Sequence, residues 1–232
     1  MKIQFYLRFH TKFGQSLFIT GNIDALGNFD SRKSMPIQYM NNEFWHGTLD
    51  LPVFPTTGIQ YHYVLRNEDG GIISEWGDDR MVEVPRPGLE EIQVIDTWNH
   101  AGDYENAFFT APFQQTLLKH NRAASQQRNV KSFTHVFKVK APLLKKDEIL
   151  CLSGTGPALK EWDKEAALAM SLEGNWWICQ VSLPRESFPL AYKYLVYDAK
   201  HKKFVQFENG NNRILHGDAV KKKITILHDG FV

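Results

Sequence analysis

Apolar and polar residues alternate along this chain in short runs, and few stretches repeat at helical spacing. Phe5, Leu7 and Phe9 form one such run, and Phe133, His135, Phe137 and Val139 another. A period of two puts alternate side chains on one face of an extended strand. The pattern predicts strands at 3–10, 15–20, 45–51, 59–66 and 91–97, then at 134–139, 148–153, 176–183, 190–197 and 224–227. Turn residues punctuate these runs: Gly14-Gln15, Asn41-Asn42, Asp69-Gly70-Gly71, Pro85-Arg86-Pro87-Gly88 and Glu173-Gly174-Asn175. Many short strands without long amphipathic helices predict an all-β sandwich.

The strand pattern occurs twice. Gly21, Leu26 and Phe29 are answered by Gly154, Leu159 and Trp162; Trp45 with Leu51-Pro52 by Trp177 with Leu183-Pro184; Tyr61-His62-Tyr63 by Tyr192-Lys193-Tyr194. Trp76 pairs with Phe207 in this alignment, and Arg80 with Arg213. The offsets stay within 131 to 133 residues (192 − 61 = 131, 154 − 21 = 133). An ordered repeat of this kind indicates two copies of one module. The predicted architecture is therefore two immunoglobulin-like antiparallel β-sandwich domains in tandem, over 1–104 and 131–232. A linker over 105–130 joins them. In it Phe113, Leu117 and Leu118 follow Pro112 at helical spacing, which predicts a short helix; Phe108, Phe109 and Phe113 could instead pack between the domains.

Composition narrows the function. Lys+Arg 27 against Asp+Glu 26 gives a net charge of +1 over 232 residues. A balanced surface lacks the long-range field that recruits nucleic acid or an anionic membrane. Cys151 and Cys179 both lie in apolar runs of the second copy, and the first copy has none, so both read as buried thiols. The residues from Met1 to Arg8 read as a strand and not as a leader, no run is long enough to span a bilayer, and the default compartment is cytoplasmic.

Catalytic patterns are missing. The histidines show no metal-ligand spacing, and Asp78-Asp79 and Glu90-Glu91 do not recur in the second copy, as a repeated carboxylate pair would. Neither copy has a nucleophile elbow or a full dinucleotide fingerprint. The chain reads as non-catalytic, with no cofactor and no metal.

What the copies share is aromatic. Flat rings cover the C–H face of a neutral, hydrated ligand such as a pyranose while nearby polar groups meet its hydroxyls. The tyrosines of Tyr61-His62-Tyr63 and Tyr192-Lys193-Tyr194 share one strand face and read as core, which turns His62 and Lys193 outward. For Trp45, Trp177, Phe29 and Trp162, core and exposed readings both stand.

The ordered set resembles the starch-binding domains of carbohydrate-binding module family 20, over everything except the linker. The residues that carry the resemblance are Leu159-Lys160-Glu161-Trp162, Trp177 through Leu183-Pro184, Tyr192-Lys193-Tyr194, Phe207-Glu208 with Asn212-Arg213, and Asp96-Thr97-Trp98. The resemblance implies Trp162 and Phe207 as sugar platforms, with Lys193, Glu208 and Asn212 as hydrogen-bonding partners. In the first copy it implies Phe29 and Trp76 as platforms. There His62 replaces the Lys, Gly77 the Glu, and Asp79 falls near the Asn position. It also implies a second site around Trp45 or Trp177, with Phe13 in the first copy. The implied ligand is α-1,4-glucan (starch, glycogen or maltooligosaccharide). The tandem arrangement resembles the start of a cytosolic 4-α-glucanotransferase of the disproportionating-enzyme-2 type, whose catalytic barrel would follow as a further partner; nothing up to Val232 resembles that barrel. A rival reading is a protein–protein module, because interfaces also enrich Trp and Tyr.

Overall fold

The computed structural model describes residues 1–77, 80–110, 112–113, 132–141 and 143–231. The chain divides into two compact units, Met1–Asn106 and Ala107–Val232. Among the described residues no helix is long and apolar enough to cross a membrane.

In the first unit one sheet runs in the order β8 (Glu91–Thr97), β1 (Lys2–Arg8), β4 (Phe44–Asp50) and β3 (Met35–Tyr39). The other comprises β3, β2 (Ser16–Gly21) and β5 (Ile59–Arg66), with β6 (Ile72–Ser74) and β7 (Arg80–Val82) both on β5. β3 therefore serves both sheets. The hydrophobic pattern does not announce it, because Pro36 interrupts the run; Pro36 is exposed opposite Phe18, the kind of edge position where a missing N–H is tolerated.

The second unit repeats the plan. One sheet is β12 (Ser171–Glu173), β13 (Trp176–Val181), β9 (His135–Lys140) and β17 (Lys223–Gly230). The other is β11 (Leu168–Ala169), β10 (Glu148–Gly154) and β14 (Leu190–Asp198), with β15 (Lys203–Phe207) and β16 (Arg213–Leu215) on β14. β11 and β12 are the two halves of what is one strand, β3, in the first unit. The first and last strands of each unit pair in parallel (β1 with β8, β9 with β17), an exception in otherwise antiparallel sheets. A 3-10 turn spans Tyr104–Phe109, and the helix expected after Pro112 falls on residues outside the described set. Both cysteines are buried thiols outside any disulfide.

Each core is stitched by a polar cluster. The hydroxyls of Tyr61 and Tyr63 donate to Asp96 Oδ2 at 2.8 and 2.7 Å, linking β5 to β8 across the sandwich. Tyr192 and Tyr194 do the same to Asp229 Oδ2, both at 2.9 Å. The guanidinium of Arg80 lies 3.4 Å from Asp96 Oδ1 and binds Glu75, and that of Arg213 lies 3.1 Å from Asp229 Oδ1 and 2.9 Å from Glu208 Oε2. Burial and the adjacent Asp96 raise the Tyr61 and Tyr63 phenols well above their ordinary range. Burial disfavours the Arg80 and Arg213 charges, but the carboxylates outweigh it and both guanidiniums stay firmly protonated.

His135, at the start of β9, is 1% exposed and stacks on Phe188 at 5.8 Å. Desolvation, aided by Lys223, lowers its pKa from 6.5 to about 4. The unfolded chain takes up this proton first as pH falls, so the stability is complete above pH 6.5 and drains away towards pH 4. At about 1.4 kcal/mol per pKa unit, the full loss is about 3 kcal/mol. Chemical denaturation at pH 7 and pH 4.5 should show that His135→Phe removes this part of the acid sensitivity. An unchanged difference between the two pH values would contradict the assignment.

Candidate functional site

The same loop leaves the same strand in both units. After β2 and after β10 the chain turns back against the strand it has left and buries a leucine completely, Leu26 or Leu159. Gly21 and Gly154 permit the close approach: a Cβ would meet Gln60 O at 2.4 Å or Ala191 O at 2.3 Å. Thr20 Oγ1 donates to Leu26 O at 3.2 Å, and Ser153 Oγ to Leu159 O at 3.3 Å. Backbone bonds from Asp30 N to Gly27 O (2.9 Å) and from Asp163 N to Lys160 O (2.8 Å) close the turn.

The loop ends on an aromatic in a strained conformation. Gly27, Asn28 and Phe29 have φ of 77°, 50° and 62°, and Lys160, Glu161 and Trp162 have 69°, 48° and 66°. A non-glycine residue in this left-handed region costs about 1–2 kcal/mol. Two unrelated tripeptides keep the same shape, and strain retained in this way points to function. The shape lifts Phe29, 41% exposed, and half-buried Trp162 off the sheet.

In the second unit Lys193 lies on the outward face of β14, opposite Ser153. Its Nζ donates to Gly210 O at 2.7 Å and Glu208 O at 3.2 Å. Two of three ammonium donors thus hold the turn that carries exposed Asn212, and one remains for a ligand. Phe207, at the end of β15, is half-buried against Phe204 at 5.1 Å. Lys164, two residues beyond Trp162, places its ammonium 4.5 Å from Phe204 and 5.6 Å from Phe207, so the loop edge reaches the Phe207 strand. Glu208 is a correction. Its side chain is 1% exposed, its oxygens bind Arg213, and Oε1 also accepts from Tyr194 N at 3.1 Å. It is a buried strut with no face to offer a sugar.

The first unit departs further. Phe29 stacks on His62 at 6.0 Å and 12°, so two expected site residues do meet. Trp76 does not occupy the position of Phe207. β5–β6 pairing sets Ser74 opposite Val64, as β14–β15 pairing sets Phe207 opposite Leu195. Glu75 then matches Glu208: it accepts from Tyr63 N at 2.9 Å and binds Arg80. Gly77 therefore replaces nothing, and the first unit has exposed Ser74 where the second has Phe207. Trp76 is held by its backbone to Asn99, at 3.0 and 2.8 Å. Asp78 and Asp79 lie outside the described residues.

Trp45 and Trp177 are 9% and 3% exposed, since strand alternation turns them inward. As free platforms they are corrected to core residues; half-buried Trp176 faces outward instead, 4.8 Å from Lys140 Nζ. Tyr39, which sequence reasoning missed, is 58% exposed and meets the Trp45 ring edge-on at 5.8 Å. Its only signal was the position six residues before Trp45, in a strand hidden by Pro36. Phe13 is fully exposed at the tip of the β1–β2 turn. Among the described residues no group of three or more His, Cys, Asp or Glu could hold a metal.

The family model described as "Starch binding domain" matches residues 1–93 and again 133–225. A 4-alpha-glucanotransferase DPE2 from Oryza sativa subsp. japonica is 25% identical over 209 residues, covering 82% of this chain and 21% of that protein. A glucoamylase from Neurospora crassa is 33% identical over 92 residues, covering 38% of this chain and 14% of its own length. This chain thus spans about a fifth of the first relative and about a seventh of the second. Among solved structures, the family 20 module of a maltotetraose-forming amylase from Pseudomonas saccharophila STB07 is 16% identical, with a TM-score of 0.35, covering 42% of this chain and 100% of that one.

Burial separates the tryptophans by experiment. Trp177→Ala should cost about 3–5 kcal/mol of stability, as large-to-small core changes do. Trp162→Ala should cost under about 1 kcal/mol, because its loop is anchored by Leu159 instead. Urea unfolding of both variants checks the order; equal losses would place Trp162 in the core.

Proposed function

The chain belongs to the starch binding domain family, and on that premise we propose that it binds α-1,4-glucan through the Phe29 and Trp162 loops as a non-catalytic targeting region. The observation that carries this is the Trp162 loop, whose aromatic is lifted by strained backbone, together with Lys193, which lies opposite Ser153 at the root of that loop and keeps a spare donor, and exposed Asn212. An indole face covers the C–H face of a pyranose, and Lys193 and Asn212 meet hydroxyls that would otherwise cost about 1–3 kcal/mol each if left unpaired. The second unit has the fuller set; the first offers Phe29 stacked on His62.

The region is the N-terminal part of a 4-alpha-glucanotransferase in this reading, supported by the match of 82% of this chain to the rice relative. Tethering two sites on one glucan chain would hold such an enzyme on its polymer.

Amylopectin gel retardation and calorimetry with a maltooligosaccharide test the proposal, with cellulose and dextran as controls. Binding to the α-1,4-glucans alone is expected. Phe29→Ala and Trp162→Ala should each weaken binding to polymer about tenfold or more, the scale of a lost anchor and of lost avidity. The double variant should not be retarded. Absence of binding at millimolar maltooligosaccharide would sink the proposal.

A further inference from the structure

The strained loops must be held somewhere beyond the platform, and both units do so from the same place. Counting five residues along β5 from Tyr61, opposite Gly21, gives Arg66; five along β14 from Tyr192, opposite Gly154, gives Tyr197. Arg66 lies with its guanidinium 3.8 Å over Phe18, on the outer face of the sheet. From there Nη2 donates to Ser31 O and, at 3.1 Å, to Ser34 Oγ. Ser34 is 8% exposed and donates in turn to Ser31 O at 2.6 Å. Ser31 is two residues past Phe29. In the second unit the Tyr197 hydroxyl donates to Glu165 Oε2 at 3.1 Å, three residues past Trp162. Lys164 beside it lies over Phe204 and Phe207. The position is shared while the chemistry differs: a guanidinium on a backbone carbonyl in one unit, a phenol on an exposed carboxylate in the other.

We infer that Arg66 and Tyr197 are positioning residues for the two glucan platforms, each clamping the far end of the loop that presents Phe29 or Trp162. Neither touches the platform ring in its proposed role. Each keeps the left-handed tripeptide in place before ligand arrives, so that the glucan does not bear the cost of ordering it. The Arg66 clamp ties down backbone, whereas the Tyr197 clamp holds one exposed side chain. The second unit's loop is accordingly the looser of the two, although its platform is the larger. The inference rests on the glucan-binding reading.

The full chain serves for the test, with Phe29→Ala isolating the second site and Trp162→Ala the first. In the Phe29→Ala background, Tyr197→Phe removes one hydroxyl and keeps the ring. Maltooligosaccharide affinity should fall about three- to tenfold, the worth of one hydrogen bond. Amide exchange should quicken over 157–165 alone, with protection restored by saturating ligand. In the Trp162→Ala background, Arg66→Met keeps an apolar side chain of similar reach without the guanidinium, and should loosen 26–34 and cut affinity by a similar factor. Arg66→Lys, which keeps a donor for Ser31 O, should recover part of it. Faster local exchange with unchanged affinity would overturn the inference, as would unchanged exchange. A parent chain that binds no glucan at all would instead overturn the functional reading, and the two failures are thus distinct.

Discussion

A buried carboxylate, Asp96 in the first unit and Asp229 in the second, accepts two tyrosine hydroxyls and faces one guanidinium. An unpaired charge in such a place would cost several kcal/mol, so the partners are not optional. Because the tyrosines stand on one sheet and the carboxylate on the other, the cluster fixes how the two sheets face each other. The guanidinium then reaches Glu75 or Glu208, whose carboxylate accepts from the backbone N–H of Tyr63 or Tyr194. In the second unit the chain continues from Glu208 into the turn that Lys193 grips and that ends at Asn212. The placement of the candidate polar ligands thus descends from the electrostatics of the core.

Much of this was legible in the chain. Period-two alternation marks the central strands because half their residues are buried, and β5 and β8 span the ranges that the pattern predicts, 59–66 and 91–97. The inward tyrosines follow from the same alternation. What stayed hidden has identifiable causes. β3 is broken by Pro36, and β6, β7, β11, β12 and β16 have three residues or fewer, too short to display a period. Matching Trp76 to Phe207 by aromatic type slid the alignment by two positions and concealed Glu75, whose equivalence to Glu208 shows only in strand register. Glu208 itself looked like a ligand because sequence does not reveal that a nearby arginine consumes both its oxygens. Trp45 and Trp177 start strands beside polar turns, and which face they take depends on a register that a one-residue shift reverses.

The platform loops show what the repeat preserves. Gly27-Asn28-Phe29 and Lys160-Glu161-Trp162 share no residue, yet their backbones follow one course through the left-handed region. Gly27 suits it at small cost and is also sterically required, since a Cβ there would lie 2.7 Å from the Lys33 backbone. Lys160 has no such freedom, so the second unit carries more strain at the same point. The closing backbone bonds and the buried leucine are common to both. Selection by packing alone would not keep an uncomfortable conformation across such different side chains, because a relaxed turn could bury the same leucine. Geometry is held constant here while ring size, neighbouring polar side chain and clamp are free to differ. That division lets one fold present two related but unequal surfaces within a single chain.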